Sequence, residues 1–175
     1  DPFAIAHALL CDKFIVKAIF AEHFNCEGSM KQSFEEIQRV VKAMKKEVPV
    51  LVGEIGKLSE KGTGEISEAS SFLIREALRE DDKPLYVLCI GAITNIASAI
   101  QACPDIVPHM TVVWIGGQSH EHSTGEVREF NAGNDIEAAN LVLGSGVRFW
   151  QIPNDVYGSM RISLAEIQMR IAPCG

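Results

Sequence analysis

The stretch LYVLCIG, residues 85–91, limits most what this chain can fold into. It is nearly all apolar, yet far shorter than the ~18 residues of a membrane span. A run of this kind reads as a strand covered on both faces, which is the environment of a parallel sheet flanked by helices. The rest of the chain alternates in the same sense. FIVKAIFA (14–21), VPVLVG (48–53), TVVWIGG (111–117) and RFWQIP (148–153) read as strands. Between and around them, residues 2–10, 29–47, 67–80, 93–103, 135–146 and 163–172 carry apolar residues at helical spacing. Pro2 suits a first helical turn, and Ser29 is the expected cap of the second helix, which ends in lysines. Strands alternating with helices predict an α/β fold, a doubly wound and mainly parallel sheet.

No repeat, linker or low-complexity tract divides residues 1–175, so a single domain is expected. The helical pattern at residues 2–10 has no strand before it, and the chain stops soon after a strand and a helix. The domain is therefore read as incomplete at both ends. Hydrophobic residues make up 47% and charged ones 22%, which is globular composition, and the net charge of −7 argues against nucleic acid or an anionic membrane as partner. Five widely spaced cysteines include no C-x-x-C pair, which speaks against a zinc site or disulfide framework and for a reducing cytoplasm. Cys89, inside the apolar run, is expected to be a small buried hydrophobe.

In sheets of this type, ligands bind beyond the carboxyl ends of the strands. Neither G-x-G-x-x-G nor a P-loop is present, so the usual nucleotide fingerprints are missing. His120, Glu121 and His122 offer two imidazoles on one side of an extended chain, or simply a polar loop; with Ser123 and Thr124 they suggest a loop over a pocket. In GAITNIA (91–97), Thr94 or Asn95 is expected to cap a helix, while the turn could expose a carbonyl to a hard cation. In REFNAGND (128–135), an extended backbone would put Glu129 and Asn131 on one side and Phe130 on the other. A carboxylate and an amide together can serve vicinal hydroxyls, as a sugar requires, and Asp135 reads as the cap of the next helix. On this reading, Glu129→Ala would weaken substrate binding with little loss of stability.

Taken in order, these segments resemble the inosine–uridine-preferring nucleoside hydrolase family. DPFAIAHALL is similar to the end of its N-terminal D-x-D-x-x-x-D-D-A-x-A-L motif, with Asp1 as the last aspartate. VKAIFAEHFN matches a strand that ends at a pocket asparagine, here Asn25. GAITNIA is similar to G-P-L-T-N-I-A, and QIPNDVYG to a later L-D-V-T. WIGG followed by REFNAGNDIEAANLVLGSG resembles the segments M-G-G, E-F-N, D-P-E-A-A and S-G.

The resemblance implies hydrolysis of ribonucleosides to ribose and free base, a salvage reaction assisted by a Ca2+ ion. It makes Asp1 a metal ligand through its carboxylate and Thr94 one through its carbonyl. It gives Asn25, Glu129 and Asn131 to the ribose and Phe130 to the pocket wall. It places the general base, an aspartate, before Asp1, and a His-Asp pair beyond Gly175. The 175 residues alone are therefore expected to be inactive. The family asparagine between GG and EFN has no clear counterpart, with His122 or Ser123 near its place. Dimers or tetramers are the family's usual assemblies. Two alternatives stand beside this expectation: a catalytically silent binding or scaffold protein, and a hydrolase of another ribosyl or glycosyl substrate.

Overall fold

A computed structural model describes residues 1–60, 66–119 and 129–174. The expected loop residues His120, Glu121, His122, Ser123 and Thr124 lie outside these. Helix α1 spans Pro2–Leu10; Asp1 caps it, its Oδ1 accepting from the Ala4 amide at 3.1 Å. Strand β1, Ile19–Phe20, pairs in parallel with β2, Val50–Leu51. Between them runs α2, Ser29–Ala43. After a 3-10 turn at Leu58–Glu60 comes α3, Glu68–Ala77, whose cap Ser67 accepts from the Ser70 amide. Strands β3 (Leu85–Cys89), β4 (Met110–Ile115) and β5 (Arg148–Ile152) form a second sheet in sequence order, all parallel. Helix α4, Thr94–Ala102, joins β3 to a 3-10 segment, Pro104–His109, that leads into β4. Helices α5 (Phe130–Asn134) and α6 (Ile136–Gly144) connect β4 to β5. Short helices α7 (Asn154–Tyr157) and α8 (Leu164–Glu166) follow, the latter continuing into a π-helical stretch, Ile167–Ile171.

The α/β class and parallel pairing are as expected, but the strands of the described residues fall into two sheets. The larger core lies between the second sheet and α3, α4 and α6, with Val112, Trp114, Ile96, Leu73, Ala138 and Val142 buried in it. A smaller core joins α1, α2 and β1 through Ile5, Ala21, Ile37 and Val41. Cys89 is buried, as its surroundings predicted. Among the described residues, no helix is long and apolar enough to cross a membrane.

Four local expectations are corrected. The segment 14–21 contributes only Ile19 and Phe20 to a ladder. Ser29 is not the cap of α2: Gly28 takes that place with φ 73°, and the buried Ser29 hydroxyl accepts from the Phe24 amide at 3.1 Å. The left-handed backbone suits a residue without Cβ. Strand β3 is not covered on both faces. Tyr86 (47% exposed) and Leu88 (54%) alternate with residues facing the core, and Tyr86 rests against Trp150 with ring centroids 5.7 Å apart. Finally, neither Thr94 nor Asn95 caps α4; the cap residue is Ile93, and it makes no side-chain bond.

Candidate functional site

A cleft of about 1780 Å3 runs along β3, from Lys83 and Pro84 before the strand to Gly91 after it, and its lining also includes Asp1, Glu22, His23, Phe130 and Asn131. Three of the pieces of chain in its wall carry the polar groups of interest. The first follows β1: Glu22, His23, Phe24. The second is the strand-to-helix turn after β3, where the Trp114 indole donates to the Gly91 carbonyl at 3.0 Å and so fixes the turn. The third is α5.

Helix α5 overturns the extended reading of REFN. Phe130–Asn134 is helical, and Glu129 is its N-cap. A period of two therefore does not apply to Glu129 and Asn131. The Glu129 side chain is buried, and its oxygens accept from the Asn131 amide (2.9 Å), the Ala132 amide (2.9 Å), the Gly117 amide (2.7 Å) and the Tyr157 hydroxyl (2.6 Å). A carboxylate offers roughly four lone-pair positions, so this one is filled. Burial pushes its pKa up, but the four donors outweigh burial and hold it below the ordinary value. Asn131 donates from Nδ2 to the Ile115 carbonyl at 2.7 Å, which fixes its amide at the end of β4. Phe130 is 67% exposed on the cleft wall.

Asp135 caps α6, as expected, by accepting from the Ala138 amide at 3.0 Å. It also accepts from the Leu58 amide and the Thr94 hydroxyl, both at 2.8 Å. The Thr94 hydroxyl lies 2.8 Å from His23 Nε2. Because Thr94 donates to Asp135, Nε2 must carry the proton and donate to Thr94, which leaves Nδ1 to accept from the Asn25 amide at 3.4 Å. Burial lowers the His23 pKa, in keeping with a neutral ring. Thr94 is thus wholly buried and serves by its hydroxyl as a link between three elements. Asn25 is exposed, with a left-handed φ of 56°.

Two acidic residues that the sequence reading passed over stand at the same end. Glu22 accepts from the Asn95 side-chain amide, and the backbone amides of Asn95 and Thr94 at the start of α4 favour its charged form. Burial, opposed by those amides and reinforced by Glu54 and Asp135, raises its pKa well above the ordinary carboxylate value. Glu54 is buried after β2 and accepts from the Ser67 amide (3.1 Å) and the Ser70 hydroxyl (2.9 Å). Asn95 ties both regions together: Nδ2 donates to the Ala21 carbonyl at 2.9 Å, and Oδ1 accepts from the Glu54 amide at 2.8 Å.

The donor set was tested for a cation. Among the described residues no three His, Cys, Asp or Glu side chains are grouped to hold a metal ion. Asp1 is engaged as a helix cap, the Gly91 carbonyl is taken by Trp114, and Thr94 lies inside the first turn of α4. These residues do not by themselves make a calcium site.

A model of the inosine-uridine preferring nucleoside hydrolase family matches residues 1–173. The non-specific ribonucleoside hydrolase RihC of Escherichia fergusonii is 36% identical over 91 residues, which are 51% of this chain and 30% of that protein. The fold of a purine-preferring ribonucleoside hydrolase from Gardnerella vaginalis superposes with a TM-score of 0.80 at 19% identity, covering 95% of this chain and 62% of that one. An inosine-uridine preferring nucleoside hydrolase from Bacillus anthracis gives 0.76 at 16% identity, covering 95% of this chain and 65% of that one. The chain thus spans less than two thirds of the length of each of these relatives.

Proposed function

The chain belongs to the inosine-uridine preferring nucleoside hydrolase family, and from that premise we propose that the full-length protein hydrolyses the N-glycosidic bond of ribonucleosides. Water adds to the anomeric carbon, the bond to the base breaks, and its electron pair leaves with the base, which takes up a proton. The products are ribose and free base. The transition state has oxocarbenium character, so an acidic cleft end stabilises the developing charge.

The observation that carries the reading is the shared cleft wall: Asn131 and Phe130 from α5 line the same cleft as Asp1. Asn131, anchored at Ile115, is assigned to a ribose hydroxyl, and Phe130 to the apolar flank of the ligand. Glu129 can reach a sugar only by exchanging one of its present donors, and the Tyr157 hydroxyl is the one that is not backbone. Asn25 is outside the lining of the cleft, which its neighbour Phe24 joins. We assign the proton from water to an aspartate upstream of Asp1, a reading supported by the likeness of DPFAIAHALL to the end of the family's opening motif. Calcium would need ligands beyond Asp1 and Thr94. The free cysteines Cys11, Cys26, Cys89 and Cys103 support a reducing, cytoplasmic setting.

The test is release of free base and reducing sugar from inosine and uridine by the full-length gene product. Both products in equal amounts are expected. One observation favours a second reading, a binding protein without turnover: the Glu129 carboxylate is already filled. Nucleoside binding with no product would establish that second reading.

A further inference from the structure

Among the described residues, two buried polar atoms at this end of the fold lack a hydrogen-bond partner: Oε1 of Glu22 and Nδ2 of Asn134. Both residues line the same cleft. Asn134 is only 4% exposed, at the last turn of α5 beside Asp135, whose charge is felt by Glu22. Glu22 packs against the turn after β3, since a Cβ added to Gly91 would meet its Cβ and Cγ at 3.9 Å. Native proteins satisfy buried polar atoms, and each exception calls for an explanation. Here one atom accepts and the other donates.

We propose that Glu22 and Asn134 form a subsite for one hydroxyl group of the ligand, separate from Asn131 and Glu129, and that it sets which sugar the protein accepts. The proposal rests on the nucleoside-hydrolase reading. A hydroxyl is the smallest group that donates and accepts at once, so it matches this pair. The match holds whichever protonation state Glu22 adopts, because the hydroxyl oxygen can receive as well. A cation would leave the Asn134 amide unsatisfied, and an aliphatic group would leave both atoms so. Once the site is built this way, a ligand lacking the hydroxyl is rejected, because it would bury the two groups unpaired.

The experiment uses the full-length gene product with inosine and its 2′-, 3′- and 5′-deoxy analogues, measuring the dissociation constant of each. In Asn134→Leu the constant for inosine is expected to rise about tenfold, while one deoxy analogue, already lacking the matching hydroxyl, changes less than about twofold. Glu22→Ala should single out the same analogue. Asn134→Asp keeps size and shape, and guards against misfolding of the leucine variant. The side-chain amide signal of Asn134 should also shift when D-ribose is titrated in. If all analogues weaken by the same factor as inosine, or if the two variants single out different analogues, the subsite is wrong although the parent binds nucleosides. If the parent binds no nucleoside at all, the functional reading falls, and the subsite with it.

Discussion

The hydroxyl of Tyr157 donates to Oε1 of Glu129 at 2.6 Å, joining α7 to the cap of α5 across 28 residues. Burial and the neighbouring carboxylate push the tyrosine up to about 12. The bond holds the C-terminal part of the chain against the segment that presents Asn131 and Phe130. Tyr157→Phe is therefore expected to lower unfolding stability by about 1–3 kcal/mol, the range for a hydrogen bond to a charged group. Urea titration of the two proteins measures it; equal midpoints and slopes would mean that the bond contributes nothing.

Glu129 itself is now expected to be structural as well as close to the ligand. Glu129→Ala strands the amides of Gly117, Asn131 and Ala132, so a clear loss of melting temperature should accompany any loss of binding. The pH dependence follows from its lowered pKa. In the unfolded chain the group protonates at about 4.3. In the folded chain it stays ionised to lower pH, so the unfolded state binds the proton first as pH falls. Its stabilisation is thus complete above about pH 4.3 and is lost as pH drops through the folded value. Subtracting the stability curve of Glu129→Gln from that of the parent should give a difference that shrinks as pH falls below about 4.3. A flat difference would show that the folded and unfolded values coincide.

The chain His23–Thr94–Asp135 joins the end of β1, the start of α4 and the cap of α6. Thr94→Val keeps the shape but removes the hydroxyl, leaving His23 Nε2 without its acceptor and Asp135 with only the Leu58 and Ala138 amides. A loss of about 1–3 kcal/mol is expected, with Thr94→Ser close to the parent. His23→Ala on top of Thr94→Val should cost less than the sum of the two, because both break one chain. Additive losses would show that the two bonds act separately.

Much of this was legible in the sequence, and what was missed has identifiable causes. The strand–turn–helix at 85–102 and the cap at Asp135 are local signals, fixed by apolar periodicity and by a carboxylate ahead of a helix. REFN failed because the backbone amides at Asn131 and Ala132 find their acceptor in Glu129, a residue type outside the preferred caps. Alternation and a short capped helix look alike over three residues. Glu22, Glu54 and the linking role of Asn95 were missed because their partners are far away in sequence: Asn95 bonds Ala21 and Glu54 at separations of 74 and 41 residues. An acidic residue just past each of the first two strands was the available signal. The bare face of β3 could not be read, since Tyr86 and Leu88 are as apolar as residues that are covered.

Calcium bears on the metal assignment. If the full-length protein completes a site that Asp1 helps to build, adding Ca2+ should raise its melting temperature, with a gain near 2.7 kcal/mol at about a hundred times the dissociation constant, and a chelator should reverse it. Asp1→Asn should weaken that gain while Asp12→Asn leaves it intact. An unchanged melting curve for the parent would remove calcium from the proposal.

Gly53 tests the junction on which the cleft depends. A Cβ there would lie 1.9 Å from the Ala21 carbonyl oxygen and within 2.7 and 2.9 Å of the Asn95 side-chain amide atoms. The carbonyl is backbone and cannot turn aside, while Asn95 is held by Ala21 and by the Glu54 amide. Gly53→Ala must therefore push the end of β2 away from β1 and α4, at a cost of about 1–3 kcal/mol or more. Gly144, the last residue of α6, has nothing within 4 Å of its added Cβ, so Gly144→Ala should be neutral or stabilise by about 0.5–1 kcal/mol. Melting curves of the two variants decide the matter. A Gly53 variant as stable as the parent would mean that β1, β2 and α4 do not meet as closely as described. Glu22 would then lose the neighbour that holds it at the cleft.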